Sequence, residues 1–133
     1  MKLAHIPYEN ILAASMWQLE PTDQYERDLK WYLKKRPGEL AAVLNNLQRY
    51  LNQLNAAPNS KAIMAGYLHP EQSGVIAVDQ KGGGGNLQET RLYTFADDEN
   101  KVLHLITIGN KDTQHDDVQQ SSGFVKALKS GNA

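Results

Sequence analysis

Polar and apolar positions along the chain change rhythm about halfway. In the first half the period is helical. Tyr25, Leu29, Tyr32 and Leu33 recur at i, i+4, i+7 and i+8, which is one stripe on a helix surface. Asp23 is expected to cap this helix, with Glu26 completing a capping-box pattern. Lys34, Lys35 and Arg36 close it, where cations suit the negative end of the helix dipole. Pro37 then opens a second helix at the position where its missing N–H costs nothing. Leu40, Val43, Leu44, Leu47, Leu51 and Leu54 carry that helix to about Asn55, ahead of Pro58. So short a link predicts an antiparallel helical hairpin.

From Ile63 onward the segments are short and strand-like. The pattern predicts strands over Ile63–Leu68, Val75–Val78, Arg91–Ala96 and Lys101–Ile108. A turn-rich loop, His69 to Gly74, separates the first two. Gly82 to Gly85 has no side chains to pack and is expected to be a flexible connection. Asp97 to Asn100 forms the turn of the clearest hairpin, and Gly109 is expected to end its second strand. Upstream of the helices, Met16–Leu19 reads as a short strand stopped at Glu20-Pro21. A last helix is expected from Asp116 to about Lys129, with Val118, Ser122, Val125 and Leu128 on one side and Gly123 weakening it. Residues 1–15 show no clear period; Ile6, Ile11 and Leu12 fit a short docking helix or a loose arm.

Helices segregated from hairpin-linked strands predict an α+β fold. The helical hairpin should pack on an antiparallel sheet of three to four strands, with a C-terminal helix in addition. A length of 133 residues suits one domain, here drawn as 16–129 after a 1–15 extension and before a 130–133 tail.

Composition narrows the function classes. Hydrophobic residues make up 41% and charged residues 22%, an ordinary globular balance. No apolar run is long enough to span a membrane. The absence of cysteine excludes disulfides and thiolate metal sites and fits a cytoplasmic location. A formal net charge of −1 argues against a generally basic nucleic-acid binder, though not against a local basic patch. His5, His69, His104 and His115 are scattered without ligand spacing, so no metal or cofactor is expected. The glycine run lacks the Gly-Lys-Ser/Thr ending of a phosphate loop, and no nucleophile elbow is present.

The remaining candidates gather around the hairpin. Arg91 and Tyr93 lie two apart on a strand, so both emerge on one face, and Phe95 continues it. An arginine beside aromatics can grip a phosphate while a base stacks nearby; it can equally cover the sheet edge beside an ordinary packed tyrosine. His104, in mid-strand on an apolar face, reads as a structural histidine with its nitrogens satisfied. Lys111, Gln114 and His115 follow the strand end in a polar loop. There a lysine can stabilise developing negative charge and a histidine can move protons; the alternative is a solvated loop leading into a helix capped by Asp116. Lys34, Lys35 and Arg36, with Lys30 and Arg49, could form a basic RNA-binding surface or a solvated helix end.

The element order, Tyr25-Glu26-Arg27-Asp28-Leu29-Lys30 opening the first helix, Arg91-Leu92-Tyr93, and the closing Leu103-His104-Leu105-Ile106-Thr107-Ile108-Gly109-Asn110-Lys111-Asp112-Thr113-Gln114 together resemble the RelE/ParE superfamily of bacterial toxin–antitoxin toxins over roughly residues 16–120. That resemblance implies a helical hairpin on an antiparallel sheet and a cognate antitoxin as partner. It implies metal-free cleavage of mRNA at the ribosome, or, in other members of the fold, action on a protein target such as gyrase. Carried over by position, Arg91 matches the central-strand arginine and Lys111 the basic residue after the glycine. His115 and Tyr93 are the candidates for proton transfer. Two positions depart from the pattern: Val75–Gln80 holds no lysine, and the last helix holds no tyrosine.

Overall fold

The computed structural model describes residues 16–81 and 86–131. The expected 1–15 extension, the Gly82–Gly85 link and the last residues of the tail lie outside the described residues. In chain order the elements are β1 (Gln18–Pro21), α1 (Asp23–Lys35), α2 (Pro37–Ala56), β2 (Leu68–Pro70), β3 (Val75–Gln80), β4 (Thr90–Asp97), β5 (Val102–Asn110) and α3 (Gln114–Lys129). One sheet carries all five strands in the order β1-β5-β4-β3-β2. The fold is α+β and the sheet mostly antiparallel, as expected. It has five strands rather than three to four, because β1 joins β5 as a parallel edge and β2 joins β3 as the opposite edge.

β1 lies two residues later than its sequence pattern suggested, and Pro21 belongs to it. Its hydrogen bonds show why a proline is tolerated there. The N–H of Gln18 donates to the Lys101 carbonyl at 2.9 Å, and that of Thr22 to the Leu105 carbonyl at 3.0 Å. Only alternate residues of β1 face β5, so the missing N–H of Pro21 lies on the outer side of an edge strand.

Thr22, not Asp23, caps α1. Its hydroxyl accepts from the Tyr25 N–H at 3.0 Å and donates to the Ile106 carbonyl at 2.7 Å. Asp28, two turns further on, accepts from the Ile108 N–H at 2.9 Å and the Thr107 hydroxyl at 2.5 Å. β1 covers β5 only as far as Leu105. Thr22 and Asp28 therefore complete an edge that would otherwise show unpaired backbone groups.

The hairpin α1–α2 covers one face of the sheet. Tyr25, Tyr32, Leu40, Val43, Leu47, Tyr50 and Leu54 bury against Val78, Leu92, Leu103, Leu105 and Ile108. Leu33, expected in the α1 stripe, is exposed. Eight residues along a helix place it about 80° round from Tyr25, whereas Tyr32 returns to within about 20°. α3 covers the opposite face, burying Val118 and Val125 against Val75, Ala77, Tyr93 and Ile106.

Three boundaries differ from the sequence reading. Ile63–Tyr67 is not strand; a short turn at Ser60–Ala62 precedes it, and the Asp98 carboxylate holds Ser60 at 2.7 and 2.6 Å. The strand itself takes in His69 and Pro70, which pair with Ala77 and Ile76. β5 runs through Gly109 to Asn110. Finally, α3 begins at Gln114, where the Asn110 side chain accepts from the N–H groups of Asp112 (2.9 Å) and Thr113 (3.1 Å) and folds the loop back.

Candidate functional site

Strand register builds a grid of side chains on the α3 face. His69 stands opposite Ala77, and Ala77 opposite Tyr93; Asp79 stands opposite Arg91, and Arg91 opposite Gly109. Opposed residues in antiparallel strands project from the same face. His69, Asp79, Arg91 and Tyr93 thus come to one side, beside the start of α3.

Arg91 is at the centre of this grid and is fully engaged. Its Nε and Nη2 donate to Glu89 at 3.3 and 3.2 Å, and its Nη1 donates to Glu71 at 3.3 Å. Its side chain is only 13% exposed. The expected phosphate-gripping arginine is therefore clamped by two carboxylates.

Asp79 lies beneath it with its side chain 1% exposed. Oδ2 meets His69 Nε2 at 3.1 Å, and Oδ1 has no hydrogen-bond donor among the described residues. Burial, and after it the nearby Glu89 carboxylate, hold the Asp79 pKa above the usual aspartate value, against the pull of Arg91 and His69. Glu89 is thus a second acid close to Asp79 on the same face of the sheet.

Tyr93 is buried, and its hydroxyl has no hydrogen-bond partner among the described residues. Burial and then the Asp117 carboxylate push its pKa up, which keeps it a neutral phenol. Asp117 sits over Gly109 and accepts from the Thr113 hydroxyl at 2.6 Å. A Cβ on Gly109 would stand 1.8 Å from Asp117 Oδ2. Glycine is thus required there by close approach of a side chain, rather than as the end of the strand. Phe95 does continue the face of Tyr93. Beyond it His104 packs between Phe95 and Phe124, with ring centroids at 6.1 and 5.6 Å, and burial lowers its pKa.

Lys111 and His115 are exposed in the loop and first turn that follow β5, and neither makes an ion pair among the described residues. They leave the sheet directly beyond Gly109, the β5 partner of Arg91. The basic residues of the hairpin do not converge. Lys34, Lys35 and Arg36 stand at its bend, where Arg36 pairs with Glu39 at 3.7 Å. Arg49 lies about 20 Å along α2 from Arg36 at 1.5 Å per residue, stacked over the Tyr67 ring at 4.4 Å. Among the described residues no group of three or more His, Asp or Glu side chains is arranged to hold a metal ion. A separate cavity of about 400 Å³ near β2, lined by Tyr50, Ile63, Met64, Leu68, Pro70 and Ile76, carries no charged group. Among the described residues no helix is long and apolar enough to cross a membrane.

His69 and Asp79 escaped the sequence reading. The one available signal was an acid two residues beyond Ala77 on the same face of a buried strand. Its partner could not be named until β2 was placed in register.

No protein-family profile and no curated protein matches the sequence. Among solved structures the chain is similar to the toxin–antitoxin complex RelBE2 from Mycobacterium tuberculosis, at 19% identity over 72% of this chain and 99% of that one, with a TM-score of 0.44. It is also similar to a mutant of the E. coli toxin RelE in the free state, at 17% identity over 82% and 96%, with a TM-score of 0.47.

Proposed function

We propose that this protein is a toxin of the RelE kind, a metal-free endoribonuclease acting on ribosome-associated mRNA and held in check by an antitoxin. The observation that carries the reading is the Asn110–His115 loop. It presents an exposed lysine and an exposed histidine beside the row that contains Arg91, on a turn anchored by Asn110 and Thr113. Lys111 supplies positive charge to the phosphate as charge develops on its oxygens, and His115 supplies a proton to the departing oxygen. Arg91 grips phosphate only by releasing Glu71 or Glu89; otherwise it holds the floor of the site together with Tyr93. Lys34 and Lys35 stay exposed on the hairpin as cations for RNA. The test is cleavage of ribosome-bound mRNA by purified wild type, Lys111→Ala and His115→Ala. A drop of about 100-fold or more in either variant is expected. Equal cleavage by all three would sink the residue assignment; a wild type that neither cleaves mRNA nor arrests growth would sink the activity.

A second reading rests on the carboxylate clamp of Arg91. An arginine neutralised on both sides, in a chain of net charge −1, suits a binding module of the same fold that acts on a protein target or only binds a partner. Affinity capture that recovers a protein target without RNA or ribosomes favours it over the ribonuclease.

A further inference from the structure

We propose that His69 is the proton acceptor of the cleavage step, with Asp79 as its positioning residue. The proposal rests on the ribonuclease reading above and fills a role that this reading leaves open.

The geometry resembles a general-base dyad in its parts. A carboxylate that is nine-tenths or more buried meets one ring nitrogen, Nε2, at 3.1 Å. With the Asp79 carboxylate as acceptor, that contact places the ring proton on Nε2 and leaves Nδ1 its lone pair. Nδ1 has no partner among the described residues, and the His69 side chain is 30% exposed. Asp79 cannot leave its place easily, since its backbone carbonyl accepts from Asn46 at 2.7 Å and its N–H donates to the Tyr67 carbonyl at 2.8 Å. The charged groups around the dyad come from each neighbouring strand and loop: Glu71 after β2, Asp79 on β3, and Glu89 and Arg91 at β4. Asp79 Oδ1 and the Tyr93 hydroxyl, both without a partner among the described residues, are further buried polar groups in the same grid.

Position also fits. Asp79, Arg91 and Gly109 occupy successive strands, a row about 10 Å across at the usual strand spacing. His69 stands one strand beyond Asp79, on β2, and the Lys111–His115 loop leaves β5, about 14 Å away at the same spacing, with Arg91 between. In-line displacement at phosphorus needs its proton acceptor and donor on opposite sides. The RNA 2′-hydroxyl gives its proton to His69 Nδ1 while its oxygen bonds to phosphorus. The bond from phosphorus to the 5′ oxygen breaks, and that oxygen takes a proton from the His115 imidazolium. A 2′,3′-cyclic phosphate and a 5′-hydroxyl result, with no oxidant or further reactant.

The experiment is single-turnover cleavage of ribosome-bound mRNA by the full chain, with histidine ¹⁵N spectra of the same samples. His69→Gln should lower kcat by about 10²–10⁴-fold with KM unchanged. Added imidazole should restore part of the activity of His69→Ala. Asp79→Asn should lower kcat by about 10–100-fold, again without a KM change, and the His69 ring should lose its single Nε2–H tautomer. Active wild type with equally active His69→Gln overturns the role of His69 and leaves the ribonuclease reading standing. Wild type that cleaves nothing overturns both. A wild-type His69 ring that carries its proton on Nδ1 at mildly alkaline pH overturns the dyad without recourse to any variant.

Discussion

The two faces of the sheet are built on different principles. Beneath α1 and α2 the contacts are apolar: three tyrosine rings and a row of leucines meet Val78, Leu92 and Leu103, nearly all without solvent contact. Beneath α3 the packing is mixed. Val75, Ile106 and Val125 share that face with Asp79, Arg91, Asp117, Ser121, Ser122 and the Tyr93 hydroxyl. Burying apolar area stabilises at roughly 25 cal/mol per Å² whatever the partner. A buried polar group contributes only when its partner is in place. One face therefore holds the fold together, while the other keeps charged groups in fixed relation next to an exposed loop. Among the described residues the buried side-chain atoms without a hydrogen-bond partner, Asp79 Oδ1, Tyr93 Oη and Ser121 Oγ, all lie on the second face.

That contrast can be broken from the apolar side most forcefully. Leu47 has no exposed surface and packs in the middle of the hairpin core. Leu47→Ala is expected to cost about 2–5 kcal/mol in urea unfolding. A loss below about 1 kcal/mol would mean that the hairpin face is loosely packed and the contrast mistaken.

On the polar side the most sensitive backbone position is Gly109. An added methyl there meets Asp117 Oδ2 at 1.8 Å and Thr113 Oγ1 at 2.5 Å. Gly109→Ala should destabilise by about 1–3 kcal/mol, with amide shifts in NMR concentrated at the start of α3. Unchanged stability and shifts would show that Asp117 swings away freely, and so that the polar face is not held in fixed relation.

The smallest effect expected is one of pH. Burial holds the Asp117 pKa above 3.8, against the hydrogen bond from Thr113 and with the support of Asp28 and Asp116. The folded chain thus binds this proton more tightly than the unfolded chain. Its stabilising contribution is complete below the unfolded value and is lost as the pH rises through the folded one. Asp117→Asn, neutral throughout, should raise the denaturation midpoint at neutral pH. The gain should vanish as the pH falls below the ordinary aspartate range of about 4. A gain that persists in acid would assign the effect to packing instead of charge.

The apolar face was largely legible in advance, because helical and strand periods report directly on which side of an element is buried. Tyr25, Tyr32 and the α2 leucines fell where the stripe put them; Leu33 did not, since a stripe edge is buried only as far as its neighbour reaches. The pairing of Arg91 with Tyr93 and Phe95 on one face also followed from alternation. The company Arg91 keeps did not. Glu71 falls in the loop before β3 and Glu89 just ahead of β4, and nothing in their spacing points at an arginine. The cap of α1 was misplaced by one residue for a similar reason. Thr22 and Asp23 are both good caps by type, and the choice was made by the Ile106 carbonyl on a distant strand.

The sequence by itself determined the helical hairpin, the β4–β5 pairing and the apolar half of the core. Each of these follows from residues near one another along the chain, whose periodicity sets which way they point. The tertiary structure alone decided that β1 joins β5 in parallel, that Asp28 completes the β5 edge, that Gly109 must lack a side chain beneath Asp117, and that His69 meets Asp79. Those are contacts between separate elements. They depend on strand order and register, which a local pattern of polar and apolar residues does not encode.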